Sequence, residues 1–342
     1  MKKIFILSLV ISLFLGLAIF ISNCGTTGGG STVPTPWIYC GSSGGFEILV
    51  INGSTNTSTE TIDLSPEKPW HIAASPDGKK IYASTDTTTV IIIDTTTNTS
   101  VGAFSVPLSQ DSYGMVVSHD GKYLYMTDSG STNLYKVYLT AGNTYEAITT
   151  LSSNSRRIAL NPDSTKAYVC GTSSLGLDIV NLQTKSVIDT ISFINNPRDV
   201  TVKGDYVYVT IGHSDASSPD VVSIDMGTDI VAYELFCPED YLAGIVSIPG
   251  KNKLYVSNNT NPGKLFIINS SVPTFESTVI TGEGTSFHYP ALMTASQNYA
   301  YVYDAESHDK IGVINTNTDK IIKYIYGINS SGVYNNPVII YK

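Results

Sequence analysis

The stretch Pro69-Trp-His-Ile-Ala-Ala-Ser-Pro-Asp-Gly-Lys-Lys-Ile-Tyr82, followed by Val90-Ile-Ile-Ile-Asp94-Thr-Thr-Thr-Asn98, is the clearest copy of a unit that runs through the chain. Its tyrosine recurs on an apolar run at spacings of 43, 43, 43, 40, 47 and 46 residues. A period of about 40 to 47 residues rich in short strands is typical of β-propellers, in which each repeat forms one four-stranded blade. The seven tyrosines are Tyr39, Tyr82, Tyr125, Tyr168, Tyr208, Tyr255 and Tyr301.

Each unit divides into four short segments separated by polar turns. In the copy quoted above, we predict a first strand over 72–75, a second over 80–84, a third over 90–94 and an outer strand over 100–104. Gly78 ends the turn between the first two strands, because glycine adopts backbone conformations that other residues resist. The third segment is apolar at nearly every position, so we expect it to be buried on both faces.

The two ends of the chain predict how the ring of blades closes. Residues 37–39 have the character of a second strand with no first strand before it, whereas residues 336–341 look like a first strand with nothing after it. The C-terminal strand should therefore complete the blade that the N-terminus begins, which ties both termini into one sheet. The sequence predicts an all-β protein whose residues 37–342 form a single seven-bladed β-propeller of four-stranded antiparallel blades.

The sequence pattern of the repeat resembles that of the YVTN-type β-propeller family of secreted and surface proteins. The resemblance rests on the order Pro…Ile-Ala…Ser-Pro-Asp-Gly…Ile-Tyr…Ile-Asp-Thr-Thr-Thr-Asn and covers residues 37–342. It implies the propeller fold and a binding or scaffold module whose partners vary from one member to the next.

The first 24 residues have the composition of an export signal. Lys2-Lys3 precedes an apolar run over 4–21, and Cys24 is followed by a segment rich in Gly, Ser and Thr. A basic start, an apolar middle and small residues before a break are typical of secretory leaders. The apolar run also reaches the lower length of a membrane-spanning helix, so a retained helix is an alternative to cleavage.

The position of Cys24 makes this leader similar to that of bacterial lipoproteins. The resemblance implies an export signal over 1–23, a lipid on Cys24 and a flexible tether over 24–36. The protein is then expected to be exported and anchored to a membrane, on the periplasmic or outer cell surface. Plain secretion without lipid is the other alternative. Each interpretation places the repeats outside the cytoplasm.

Composition narrows the classes of partner. The formal net charge is −9, only 14% of the residues are charged, and the basic residues form no cluster. Such a surface repels nucleic acid, so we expect no nucleic-acid partner. The cysteines other than Cys24 fall in different repeats, where we expect small buried apolar residues rather than disulfides or metal ligands. We predict a monomer without a metal or other cofactor.

The residues just before each first strand form the candidate site. In propellers the innermost strand lines the central channel, and these positions should lie at its mouth. They include all three arginines of the chain, and arginine presents a planar set of donors that suits carboxylate or phosphate. Aromatic walls with a few directed polar groups are typical of ligand sites. We therefore predict that an anionic small molecule or a protein binds at Trp70, His71, Tyr113, Arg156, Arg157, Arg198, His288 and Tyr289.

Three alternatives to this binding function stay open at this point. The arginines can instead connect neighbouring blades, since Asp199 lies next to Arg198. Some propellers of similar appearance are lactone hydrolases, a role that would draw on His71, His288, Arg157, Arg198 and Glu283. The spacing of these residues is not diagnostic, and no catalytic residue is assigned. A structural surface-layer protein is the third alternative.

Overall fold

The computed structural model describes residues 35–42, 45–109, 112, 114–171, 175–212, 218–237, 241–260, 263–280, 290–304, 310–326 and 338–341. The export signal, Cys24 and all but the end of the tether lie outside these residues and stay predictions. The described part of the chain consists of strands and turns. In chain order the strands are β1 (Pro36–Ser42), β2 (Glu47–Asn52), β3 (Thr57–Asp63), β4 (Pro69–Ala74), β5 (Lys80–Thr85), β6 (Thr89–Asp94), β7 (Thr99–Ser105), β8 (Met115–Val117), β9 (Tyr123–Thr127), β10 (Asn133–Tyr138), β11 (Thr144–Thr150), β12 (Ser155–Leu160), β13 (Lys166–Gly171), β14 (Gly176–Asn181), β15 (Ser186–Ser192), β16 (Asn196–Lys203), β17 (Tyr206–Gly212), β18 (Val221–Asp225), β19 (Ile230–Leu235), β20 (Leu242–Ser247), β21 (Lys253–Asn258), β22 (Leu265–Asn269), β23 (Thr274–Ile280), β24 (Pro290–Ala295), β25 (Tyr299–Asp304), β26 (Lys310–Asn315), β27 (Lys320–Tyr326) and β28 (Val338–Tyr341).

These strands form seven antiparallel sheets of four strands, which are the blades of a propeller. Blade 1 contains β28, β1, β2 and β3, and blades 2 to 7 take the following strands four at a time. In blade 1 the C-terminal strand pairs with the N-terminal one, with Pro36 opposite Tyr341 and Tyr39 opposite Val338. The predicted seven-bladed fold, and the closure of its ring by the last strand, are both confirmed.

The first strand of each blade lies nearest the axis. Neighbouring first strands contact one another around the ring, from β4 and β8 through β16, β20 and β24 to β28. We call the face with the connections between blades, and between second and third strands, the upper face. The first-to-second and third-to-fourth turns lie on the lower face. The candidate residues stand where first strands begin, so they belong to the upper face.

The hydrophobic core lies between the blades. Seven buried clusters occupy the seven interfaces, and each is built from facing strands of two neighbouring sheets. The cluster between blades 7 and 1 joins Tyr301 and Ile311 to Ile38 and Ile51. Third strands such as β6 are buried at their apolar positions, as predicted, whereas the outer strand β7 is mostly exposed. Every blade is therefore held on both sides by apolar packing.

The repeated tyrosine has a polar role in addition to its packing. Its ring is buried, and in blades 1, 6 and 7 its hydroxyl donates to the third-to-fourth turn of the next blade. Tyr39 donates to Asn98 Oδ1 at 2.5 Å, and Tyr301 donates to Asn56 Oδ1 at 2.8 Å across the closure of the ring. Both asparagines adopt a left-handed backbone, with φ of 53°, a conformation that asparagine tolerates well. These two contacts connect blade 1 to blade 2, and blade 7 to blade 1, on the lower face.

Cys40 and Cys170 are buried, Cys237 is half-buried, and none of these three described cysteines forms a disulfide. Burial raises the pKa of the Cys40 thiol to about 12, which makes it a small apolar group at neutral pH. A search of the described ranges finds no helix long and apolar enough to span a membrane.

Candidate functional site

A bulge shapes the start of the first strands. The sequence suggested that β4 begins at Ile72, whereas it begins at Pro69 and so contains Trp70 and His71. The extra residue disturbs the pairing with the second strand, and bulges of this kind redirect side chains near functional sites. The register shifts between Pro69 and His71 in blade 2, between Ser155 and Arg157 in blade 4, and between Pro197 and Asp199 in blade 5.

Two rows of side chains result at the upper end of the channel. The bulge row contains Trp70 and Arg156, which are half-buried, and Arg198, which is exposed. The row that follows it contains a buried His71, then Arg157 and Asp199, whose side chains are 13% and 18% exposed. Tyr113, His288, Tyr289 and Glu283 lie outside the described residues, so their places in the rows stay predictions.

Hydroxyl groups on the second strands hold the bulges in place, a feature that the sequence reasoning missed. Ser84 Oγ accepts the His71 N–H at 3.1 Å, and Thr210 Oγ1 accepts the Asp199 N–H at 3.1 Å. Thr210 then donates to the carbonyl of Ala243 in blade 6 at 2.7 Å. The hydroxyl groups of Ser84 and Thr210 therefore fix the bulges of blades 2 and 5, and Thr210 also connects blade 5 to blade 6.

A signal for these hydroxyls was present in the repeat. Serine or threonine stands two residues after the repeated tyrosine in four of the blades, at Ser84, Thr127, Thr210 and Ser257. Thr127 Oγ1 also donates to the Arg156 carbonyl at 3.2 Å. Gly114 allows this approach, because a Cβ there would lie 2.7 Å from Thr127 Oγ1 and would also meet the Arg156 carbonyl.

Arg157 and Asp199 form an ion pair between blades 4 and 5. The Nε of Arg157 lies 3.9 Å from Oδ1 of Asp199, and Oδ2 accepts the Ile245 N–H of blade 6 at 3.0 Å. Burial raises the pKa of the Asp199 carboxyl, and the Arg157 charge and two backbone N–H groups oppose that rise. One carboxylate therefore joins three blades. For Arg157 the geometry matches the structural alternative, in which the arginine connects neighbouring blades.

His71 is uncharged at neutral pH. Its side chain is buried, with 7% of the residue exposed, and burial together with the nearby Arg157 charge holds its pKa well below the usual range. A neutral imidazole offers one donor and one acceptor rather than a positive charge. The positive charge of the described site therefore comes from its arginines.

Arg198 is the exposed member among the described residues of the two rows. It is exposed on the bulge of β16, and its stem lies over Gly212 at the end of β17. A Cβ at Gly212 would come within 2.8 Å of the Arg198 Cγ, so the glycine leaves room for the arginine side chain. The fork of guanidinium donors is suited to a carboxylate or a phosphate.

Enclosed aspartates anchor the upper-face connections. Asp128 Oδ2 accepts the Ser109 N–H at 2.8 Å, and Asp178 Oδ2 accepts the Ser152 N–H at 2.8 Å. The carboxylates thus act as acceptors for backbone donors. Over the described residues no group of three or more His, Cys, Asp and Glu side chains has the arrangement of a metal site.

Comparisons with known proteins identify the fold and go no further. No family model matches the chain, and no curated protein matches it. Hydrazine synthase from Kuenenia stuttgartiensis is similar over 80% of this chain and 95% of its own, with a TM-score of 0.67 and 16% identity. A functionally unknown protein from Desulfotomaculum acetoxidans is similar over 89% of this chain and 98% of its own, with a TM-score of 0.71 and 12% identity.

The dihydro-heme d1 dehydrogenase NirN, in complex with DHE, is also similar in structure. The match covers 85% of this chain and 63% of the dehydrogenase, with a TM-score of 0.62 and 14% identity. Identities this low describe a shared arrangement of blades. A shared fold does not determine function, which depends on the residues of the site.

Proposed function

We propose that this protein is an exported, lipid-anchored β-propeller that binds an anionic ligand, or an anionic group of a protein, at the upper mouth of its channel. The exposed guanidinium of Arg198 on a bulged first strand carries the proposal. The chain has a net charge of −9 and three arginines, all of which lie in the first strands of blades 4 and 5. Such a local concentration of guanidinium groups in an acidic protein favours an anion.

In this proposal the two rows of side chains have different roles. Arg157 is committed to Asp199, and so it positions blades 4 and 5. Arg198 and the half-buried Arg156 face the ligand, with Trp70 across the mouth as an apolar wall. Neutral His71 supplies a hydrogen bond without adding charge. Anion affinity is therefore expected to fall with rising salt concentration and to change little between pH 6 and 8.

The test is a thermal-shift and calorimetric titration of the purified full-length protein with citrate. Arg198→Ala should weaken citrate binding by about 10- to 100-fold, because a hydrogen bond to a charged group contributes roughly 1.5–3 kcal/mol. The melting temperature without ligand should hardly change, since Arg198 is exposed. Lys79→Ala, which removes an exposed cation on the lower face, is the matched control and should leave citrate binding intact.

The Gly212→Ala variant tests the position of the Arg198 side chain separately from its charge. It keeps the arginine but places a Cβ against its stem, so citrate binding should weaken while the net charge is unchanged. The proposal would be overturned if the wild-type protein did not bind citrate. It would also be overturned if Arg198→Ala and Lys79→Ala weakened citrate binding equally.

The membrane anchor is tested separately from the ligand. Mass spectrometry of the mature N-terminus should find a lipid on Cys24, and Cys24→Ser should move the protein from the membrane to the soluble fraction. A single acyl chain binds membranes weakly and several chains bind them stably, so the number of chains predicts how firmly the protein is held. Membrane retention of Cys24→Ser would favour the spanning-helix alternative.

A further inference from the structure

The lower face of blades 6, 7 and 1 differs in charge from the rest of that face. The described turns of this sector contain three lysines and one acidic residue, which are Lys251, Lys253, Lys320 and Asp319. By contrast, every first-to-second turn of blades 2 to 5 contains an aspartate. These aspartates are Asp77, Asp120, Asp163 and Asp205. The sector is therefore locally positive in a chain whose net charge is −9.

Hydrogen bonds bring the lysines of blade 6 to one turn of blade 7. Lys251 Nζ donates to Thr316 Oγ1 at 2.5 Å and to Asn317 Oδ1 at 2.9 Å. Lys253 Nζ donates to Asp319, at the end of the same turn. Both ammonium groups are therefore held against the turn that leads into β27.

The first residues of β27 continue this surface. Lys320 and Lys323 are exposed, and Ile322, between them, is 49% exposed. We call Lys251, Lys253, Lys320, Ile322 and Lys323 the blade-7 lysine surface. Cationic and apolar side chains next to one another suit the boundary between lipid headgroups and acyl chains.

The carboxylates of this region do not neutralise its lysines. The Asp319 side chain is 14% exposed, and it accepts from both Lys253 and the Tyr255 hydroxyl. Glu276, on β23, is half-buried. Neutral oxygens hold Lys251, and burial together with the Lys253 charge lowers its pKa although Asp319 opposes this. Four lysines near two carboxylates leave positive charge for an anion outside the protein.

The tether joins the propeller on the same face. The carbonyl of Pro36, where β1 begins, accepts the Gly53 N–H at 2.8 Å in the third-to-fourth turn of blade 1. Asn56 of that turn accepts the Tyr301 hydroxyl of blade 7. A flexible chain as long as the tether has an end-to-end distance of about 20 Å. A lipid on Cys24 would therefore hold the lower face of blades 7 and 1 near the membrane.

We propose that the blade-7 lysine surface docks on anionic lipid headgroups of the membrane that holds the anchor, so that the upper mouth points away from that membrane. The inference rests on the proposed function, because the lipid anchor brings the surface to the membrane, and it adds the orientation of the ring. Lysines are attracted to an anionic surface within about a Debye length of it. The mouth then opens toward solvent, where a ligand reaches it.

The experiment measures acetylation of individual lysines by mass spectrometry, with the mature lipidated protein in vesicles. The vesicles contain phosphatidylcholine alone or an equal mixture with phosphatidylglycerol. Lys320 and Lys323 should react at least about fivefold more slowly on the mixed vesicles, and high salt should abolish the difference. Lys79, which is exposed in a lower-face turn of blade 2, should react at the same rate on both.

Two variants test the surface itself, with the protection of Lys323 as the measurement. Lys320→Gln removes one exposed charge and should reduce this protection to less than about half of the wild-type value. Ile322→Ser should also reduce it, because an apolar side chain is lost from the lipid boundary. Lys79→Gln is the matched control and should leave the protection of Lys323 unchanged.

The outcomes separate this inference from the proposed function. Equal protection of Lys79 and Lys320, or no difference between the two kinds of vesicle, overturns the inference. Protection by inorganic phosphate without vesicles would assign the surface to a soluble anion, and protection that rises with protein concentration on phosphatidylcholine would assign it to a second copy of the chain. Either result also overturns the inference. Absence of a lipid on Cys24, or a wild type that does not bind citrate, would instead count against the proposed function.

Discussion

Asp199→Ala is expected to destabilise the propeller by about 3–4 kcal/mol. The substitution leaves the Ile245 N–H without its acceptor, at a cost of roughly 1–3 kcal/mol for a buried donor. It also removes the anion that faces the enclosed Arg157, and breaking a buried pair costs about 3–5 kcal/mol. The separation of 3.9 Å is at the outer limit for an ion pair, so we expect the lower part of that range.

The expected change in melting temperature follows from the size of the domain. The unfolding entropy is about 2.1 cal/mol/K per residue, and the propeller has about 300 residues. A loss of roughly 0.6 kcal/mol in the free energy of unfolding therefore lowers the melting temperature by one degree. Asp199→Ala should therefore lower the melting temperature by about 5–6 °C. Asp199→Asn keeps an acceptor for the Ile245 N–H and should lower it by about half as much.

The partner variant has a pH dependence with a definite sign. Burial already raises the pKa of Asp199, and Arg157→Ala removes a charge that lowers it. The folded state then binds the proton more tightly than the unfolded chain, so the ionised carboxylate costs stability above its folded pKa. Arg157→Ala should thus lose more stability at pH 8 than at pH 5.

A double-mutant cycle read by calorimetry decides whether these two residues interact. The coupling between Arg157→Ala and Asp199→Ala should reach about 1–3 kcal/mol, as for residues in direct contact. A coupling below about 0.5 kcal/mol would refute the reasoning. Arg157 would then return to the set of ligand-facing residues.

Three further predictions concern the rest of the ring. Tyr255→Phe removes a hydroxyl that donates to Asp319, and it should lower the free energy of unfolding in denaturant by about 1.5–3 kcal/mol. The control is Tyr208→Phe, because the Tyr208 hydroxyl has no hydrogen-bond partner within the described residues. Its free energy of unfolding should stay within about 0.5 kcal/mol of the wild type. His71 has a folded pKa well below 6.5, so the unfolded chain takes up its proton first as the pH falls, and the wild type should lose up to about 2 kcal/mol by pH 5. His71→Asn should show a smaller acid loss in the same pH titration of stability. Gly114→Ala places a Cβ against a backbone carbonyl of the next blade and should cost about 1–3 kcal/mol, and unchanged stability would show that blades 3 and 4 can separate freely.

The fold was predictable because each blade repeats the same physical requirement. An apolar strand with a tyrosine must recur wherever two sheets pack, so the period of the sequence reports the number of interfaces. The half-blades at the two ends, at Tyr39 and at Val338–Tyr341, then determined how the ring closes. Prediction failed at the start of the first strands. Trp70-His71 and Arg156-Arg157 do not alternate between apolar and polar, because a bulge interrupts the pleat there.

The place of the candidate residues in the fold was predictable, but the roles of these residues were not. Arginine composition located Arg157 and Arg198 at the mouth, yet the sequence left pairing and ligand binding as open alternatives for both. The difference between them depends on three-dimensional neighbours: Asp199 lies within reach of Arg157, whereas Arg198 is exposed and its stem lies over Gly212. The hydroxyl of Thr210 escaped notice because a threonine in a strand suggests only β-propensity, and its two partners are far from it in sequence.

The repeat meets different physical requirements on the two faces of the ring. On the lower face the repeat preserves the residues that connect the blades, such as Tyr39 with Asn98 and Tyr301 with Asn56, so changes there cost stability. On the upper face the bulge recurs in blades 2, 4 and 5 while the bulged residue differs between them, as in Trp70, Arg156 and Arg198. An internal repeat varies where its own packing places no demand on the side chain. Arg156 and Arg198 stand at such positions on the upper face, whereas Arg157 is held by Asp199.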